Sequence, residues 1–97
     1  MITSKTRSIL RGKANGLAPC FQIGKGGIEG NVLNELSDAL ENRELIKVSV
    51  LNNCDMNAKE LINVIAEKLG AEAISAVGNK MVLYRYSKKD GIKHLEF

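Results

Sequence analysis

Glu44-Leu45-Ile46-Lys47-Val48-Ser49-Val50-Leu51 alternates between apolar and polar residues, which is the pattern of a strand. Ile46, Val48 and Val50 fall on one face, with Lys47 and Ser49 on the other. A sheet built around this strand is expected to cover its core with one face and leave the second at least partly open. Immediately upstream, residues 31–42 carry the stripe Val32, Leu33, Leu36, Ala39 and Leu40, with Glu35, Asp38 and Glu41 turned to water, and predict an amphipathic helix. Before it stands a glycine-rich loop, Gly24-Lys25-Gly26-Gly27-Ile28-Glu29-Gly30, and before that a short apolar run, Cys20-Phe21-Gln22-Ile23, that reads as a strand. Thr3 or Ser4 can cap a first helix reaching about Ala14, with Ile9, Leu10 and Ala14 on one arc and Gly16 and Pro19 ending it.

Downstream, residues 52–55 predict a turn. Asn57 with Glu60 resembles a capping box opening a helix to Leu69, with Leu61, Ile62, Ile65, Ala66 and Leu69 inward and Gly70 as its stop. Residues 73–77 form a weak strand, Gly78-Asn79 a turn, and Met81-Val82-Leu83-Tyr84-Arg85-Tyr86 the strongest strand, pairing with its predecessor as a hairpin. The polar stretch 87–97 is expected to be loosely held. The order is α-β-α-β-α-β-β over a single domain, 1–97. Two strand–helix–strand crossovers imply parallel pairs and the hairpin an antiparallel one. The expected architecture is a two-layer α/β domain with a mixed four-stranded sheet.

A chain of 97 residues, 44% hydrophobic and 26% charged, supports one core and no second one. No stretch approaches the ~20 apolar residues of a membrane helix. The opening residues lack a signal peptide's apolar centre, so a cytoplasmic protein is expected. Cys20 and Cys54 are too few for a disulfide framework or a zinc site and are read as reduced thiols. His94 has no ligand cluster or nucleophile nearby in sequence, and no carboxylate pair is placed for acid–base work, so neither an enzyme nor a cofactor or metal is expected.

The net charge of +3 is unevenly spread. Residues 1–28 hold Lys5, Arg7, Arg11, Lys13 and Lys25 and no acid; residues 29–72 sum to −5; residues 73–97 return to +3. If the two ends share a side of the fold, that side is basic, which is the electrostatic footprint of a phosphate-backbone binder.

The glycine loop is the motif with chemistry in it. Glycine backbone and helix-start amides can approach an anion closely. A dinucleotide fingerprint counted from Gly24 fails because its last position is Glu29, and a phosphate-binding Walker loop fails because Lys25 is followed by Gly26. What remains is Gly24-Lys25-Gly26-Gly27, a G-x-x-G enclosing a lysine, similar in chemistry to the loop with which KH folds clamp single-stranded nucleic acid. The overlapping match over residues 27–30 contains Glu29 and would repel phosphate.

Three blocks of the chain together resemble the CRM domain, the chloroplast RNA splicing and ribosome maturation module. They are Leu17-Ala18-Pro19 leading to Ile23-Gly24-Lys25-Gly26-Gly27-Ile28, then residues 39–48, then Val77-Gly78-Asn79-Lys80-Met81-Val82-Leu83-Tyr84-Arg85. A stand-alone domain of this length is similar to the bacterial YhbY-type members. The resemblance implies a non-catalytic RNA-binding protein associated with precursors of the large ribosomal subunit. It also implies a fold like the C-terminal domain of translation initiation factor three. Carried onto this chain, it implies Gly24, Lys25, Gly26 and Gly27 as the RNA contact, supported by Arg7, Arg11 and Lys13 of the first helix and by Arg85. Glu29 stands where many members have a capping Thr, so Asn31 is expected to cap the following helix.

The expected partner is therefore RNA, with ribosomal RNA implied by the resemblance. The protein is expected to act as a monomer with no membrane and no small-molecule substrate. With four aromatics in the chain, recognition is expected to rest on backbone and shape rather than on base reading. An alternative is an adaptor that docks acidic helices carrying Glu35, Asp38, Glu41, Glu60 and Glu67 on a basic ribosomal protein or assembly factor.

Overall fold

A computed structural model describes residues 3–24, 26–28, 30–52, 54, 56–92, 94 and 95. Among them are three helices, α1 (Ser4–Ala14), α2 (Val32–Arg43) and α3 (Ala58–Leu69), and four strands, β1 (Phe21–Ile23), β2 (Leu45–Val50), β3 (Glu72–Val77) and β4 (Lys80–Tyr84), in the order α-β-α-β-α-β-β. The expected α/β fold with a mixed four-stranded sheet is the fold observed.

Its helix ends follow the local chemistry. Thr3 Oγ1 accepts from the Thr6 amide at 3.1 Å, and Asn57 Oδ1 accepts from the Glu60 amide at 2.9 Å. Gly70 stops α3 at φ +63. Asn31 does not cap with its side chain; its carbonyl simply opens the helical ladder, accepting from Glu35 N at 2.9 Å. Replacing Asn57 by Ala is expected to lower stability by about 1 kcal/mol. A chain of this size should then melt roughly 4–8 °C lower, which thermal unfolding by circular dichroism would show.

The sheet order is β1-β2-β4-β3. β1 and β2 run parallel, with Ile23 opposite Val50. The second crossover makes no parallel pair of its own, because β4 lies between β2 and β3 and is antiparallel to both. The reason is apolarity. Met81 through Tyr84 are all buried, and a strand hydrophobic on both faces belongs in the sheet interior, leaving the alanine-rich β3 at the edge.

That order builds two cores. Ile46, Val48, Val50, Met81 and Leu83 pack with Leu36 and Leu40 of α2 and with Leu61, Ile62 and Ile65 of α3. On the opposite face Leu45, Ile74, Val82 and Tyr84 pack under Leu10 and Ala14 of α1, with Leu95 alongside. The sheet thus lies between helices, so α1 adds a layer to the two expected, while the second face stays partly open as the alternation implies. Leu45, which the alternation leaves unassigned, faces α1, and Ser49 is buried beside it. A bulge between Ala73 and Ser75 turns both Ile74 and Ser75 toward α1. α1 shows little apolar periodicity because it buries only two residues, yet those suffice to seal half of this face.

The chain turns from α2 into β2 at Glu44, which adopts φ +64 and lies outside the strand.

Candidate nucleic-acid interface

The glycine loop leaves the sheet at the end where β4 begins. Ile23 O accepts from Leu51 N at 2.8 Å, and Val50 N donates to Asn79 O at 2.7 Å. Gly27 N donates to Gly24 O at 3.0 Å, closing a tight turn. Gly26 and Gly27 sit at φ +96 and +59 with open space where a side chain would stand, so both the turn and the access to its backbone need glycine. Lys25 lies outside the described residues.

The basic residues divide into two groups. Arg7 and Arg85 are engaged inside the protein. Arg7 donates to the Ala73 carbonyl and lies 3.6 Å from Glu72 Oε2, pinning α1 to the start of β3. Arg85 donates to Leu69 O at 2.8 Å and, each at 3.0 Å, to Ser37 O, Ser37 Oγ and Glu41 Oε1. It thereby closes the C-terminal end of α3 and ties α2 to the strand, and its Nε is buried without a partner among the described residues. Arg11 and Lys13, in contrast, are exposed on α1.

Sequence reasoning passed over the residues that join them. Lys47 projects from β2 onto the α1 face, Lys80 opens β4 on that same face, and Arg43 ends α2 nearby. A cleft of about 260 Å³ is lined by Arg11, Asn15, Lys47, Ser75 and Lys80. A second, of about 430 Å³, is lined by Lys13, Arg43 and again Lys47 above an apolar floor. Neither cleft is lined by a carboxylate among the described residues. Among the described residues, none of these five cations has a carboxylate ion-pair partner. The strand pattern did carry a signal, since a lysine on the face assigned to solvent is a lysine available to a ligand. Charge counting hid it, because Arg43 and Lys47 belong to the segment with a net −5.

A larger cavity, of about 620 Å³ beside Arg85, is lined by Glu41 and Glu72 as well as Lys88. Its carboxylates oppose an anionic ligand. Tyr84 lines it but is 6% exposed, so it is a core ring and not a stacking platform. Burial raises its phenol pKa, with Glu44 and Tyr86 acting the same way. Among the described residues the exposed aromatic is Tyr86, stacked on His94 at 4.2 Å between ring centres.

The stretch expected to be loosely held is tied down at several described residues. Glu44 Oε2 accepts from Ser87 N at 2.7 Å and contacts His94 Nδ1 at 2.7 Å, while Oε1 accepts from Leu95 N at 2.9 Å. Glu41 accepts from Ser87 Oγ and Lys88 N. Glu41 is thus not the solvated helix charge that its place in the sequence pattern suggests. Burial pushes Glu44 upward, but the bonds from Ser87, His94 and Leu95 outweigh it and hold the carboxyl below its ordinary range. Among the described residues, no three His, Cys, Asp or Glu side chains gather as a metal site, and no helix is long and apolar enough to cross a membrane.

The CRS1/YhbY (CRM) domain pattern matches residues 2–85. The chain belongs to this family. A Bacillus subtilis protein named "Probable RNA-binding protein YqeI" is 41% identical over 90 residues, which is 93% of this chain and 94% of that protein. A Haemophilus influenzae protein named "RNA-binding protein" is 36% identical over 93 residues, covering 95% and 93% of the two chains. The solution structure of the hypothetical protein SAV1595 from Staphylococcus aureus superposes with a TM-score of 0.78 at 44% identity, covering 93% of this chain and 94% of that one. The CRM match contains the glycine loop, the α1 cations, Arg43, Lys47 and Lys80. It stops at Arg85, just before the segment held by Glu44.

Proposed function

We propose that this CRM-domain protein binds RNA through the phosphate backbone and assists assembly of the large ribosomal subunit on precursor ribosomal RNA. The observation that carries this reading is the run of Arg11, Lys47 and Lys80 along one cleft, free of acids among the described residues, which reaches at Lys80 the end of the sheet from which the glycine loop departs. A single strand lying there meets exposed glycine backbone at one end and three cations along its path. Lys25 adds a charge within the loop. Lys13 extends the contact along α1, while Arg7 and Arg85 serve it indirectly by fixing α1 and the two helices beneath the sheet. The printed names of the relatives point the same way.

The test is sedimentation of tagged protein from lysate at low and moderate salt, with and without RNase. Co-migration with large-subunit precursors, lost on RNase treatment, is the expected result. Replacing Lys25 by Ala should weaken binding of unrelated RNA sequences by about fivefold at 0.1 M salt, as one lost phosphate contact would. Its unfolding transition should stay unchanged. Association that survives both RNase and that replacement would favour docking of the acidic helices on a protein.

A further inference from the structure

We propose that the second cleft on the α1 face is a nucleobase pocket, taking one unstacked base of the bound single strand. The inference rests on the RNA-binding reading and adds a ligand to it. α1 ends at Ala14, and the chain then crosses the rim of the sheet to β1, where Cys20 N donates to Lys47 O at 2.9 Å. This crossing leaves a groove floored by Leu17, Ala18, Cys20, Leu45 and Leu95. Leu17 is 39% exposed, a large apolar side chain that the fold leaves uncovered.

The groove's chemistry is one-sided. Its floor is apolar, and the charged groups lining it among the described residues are Lys13, Arg43 and Lys47, all cations. Such a site suits a flat apolar group carried on an anionic chain. A nucleotide within single-stranded RNA has that form, with the base going down and its flanking phosphates remaining at the rim. The volume of about 430 Å³ falls in the range of small-ligand sites and has room for a base with its ribose. Among the described residues no aromatic side chain lines it, so the stacking partner is the Arg43 guanidinium plane, a surface on which bases commonly lie.

An acidic, apolar peptide would satisfy the same charge pattern. RNA is favoured by continuity, because Lys47 lines both clefts. A strand held by Arg11, Lys47 and Lys80 already has its phosphates at the groove's edge.

The experiment compares a fluorescein-labelled 12-nucleotide oligouridine with an abasic ribose–phosphate chain of the same length, by anisotropy. Wild type should bind oligouridine about fivefold tighter, the low end of a base-stacking contribution because no aromatic takes part. Ala18→Leu, an exposed position whose added bulk fills the groove without changing charge, should erase that difference and leave abasic binding unaltered. As an independent measurement, Cys20 in a Cys54→Ser background should be shielded from iodoacetamide by oligouridine and not by the abasic chain at equal occupancy. Equal binding of the two ligands by wild type would overturn the pocket alone. Binding of neither would overturn the RNA reading and the pocket together. Shielding of Cys20 by a Glu/Leu peptide but not by oligouridine would make the groove a peptide site instead.

Discussion

Replacing Arg11, Lys47 and Lys80 together by Gln is expected to weaken binding of unstructured RNA by about 100-fold at 0.1 M salt. The magnitude follows from counterion release. Each phosphate contact to a single strand contributes about 0.7 to the slope of log affinity against log salt. Over the decade from 0.1 to 1 M salt, where this attraction fades, one contact is therefore worth about fivefold, and three are worth roughly two orders of magnitude. The slope itself should become shallower by about 2.

Gln keeps most of each stem, so the cleft walls stay packed. None of the three has a carboxylate partner among the described residues that the change would strand. The unfolding midpoint should accordingly match wild type. A matched control separates local contact from net charge. Lys59 and Lys68 lie exposed on α3, and Lys89 is hydrogen-bonded to Asn42 Oδ1 at the far side of α2. Changing these three to Gln removes the same charge and should cost no more than about threefold, by loss of long-range steering alone. Anisotropy titrations over a salt series read both quantities. Equal losses in the two triple variants would reduce the interface to a general effect of charge.

How far the sequence foretold this arrangement depended on how local the cause was. Thr3, Asn57 and Gly70 act within one helical turn, and their roles were readable from residues three or four positions away. The glycine loop was readable too, since positive φ at Gly26 and Gly27 is a demand the backbone makes of its own residue. What escaped was set by distant packing. β4 takes the sheet interior because all of Met81, Val82, Leu83 and Tyr84 can be buried, a comparison between strands that no single window contains. α1 hides the second face of β2 with only Leu10 and Ala14, too few to register as periodicity. Lys47 and Arg43 were summed with the acids around them in sequence, while the fold moved them onto the face of Arg11 and Lys13. The structural ties of Arg85, which the resemblance alone makes a supporting RNA contact, escape any local window because its acceptors, Ser37, Glu41 and Leu69, lie 16 to 48 positions away.

Glu44 is the extreme case of that long reach, and removing its carboxylate is expected to be the most destabilising single change considered. The side chain is fully buried at the point where α2 gives way to β2. It holds the amides of Ser87 and Leu95, 43 and 51 positions away, and lies against His94. Glu44→Ala leaves two amides without acceptors, that of Ser87 buried and that of Leu95 half-buried. At about 1–3 kcal/mol for each unsatisfied donor, a loss of roughly 3 kcal/mol follows, partly relieved as the segment detaches.

Two companion variants separate the causes. Glu44→Gln keeps the shape but turns an NH2 group toward an amide or ring nitrogen, so it should lose nearly as much. Glu44→Gly loses the same bonds but accommodates φ +64 without a side chain, and should be more stable than the Ala variant by about 1 kcal/mol. Acidity provides the last check. A carboxyl held below its unfolded value of 4.5 contributes stability that is complete above that value and is lost as pH falls through the lower folded one. Glu41, held low chiefly by the Ser87 hydroxyl, adds to the same limb. Urea unfolding at pH 6 and pH 4 should therefore show wild type losing more stability than Glu44→Ala, with the variant keeping only the share from Glu41. If Glu44→Ala lies within about 0.5 kcal/mol of wild type, the range expected of ordinary surface substitutions, the buried carboxylate does not anchor the segment after β4.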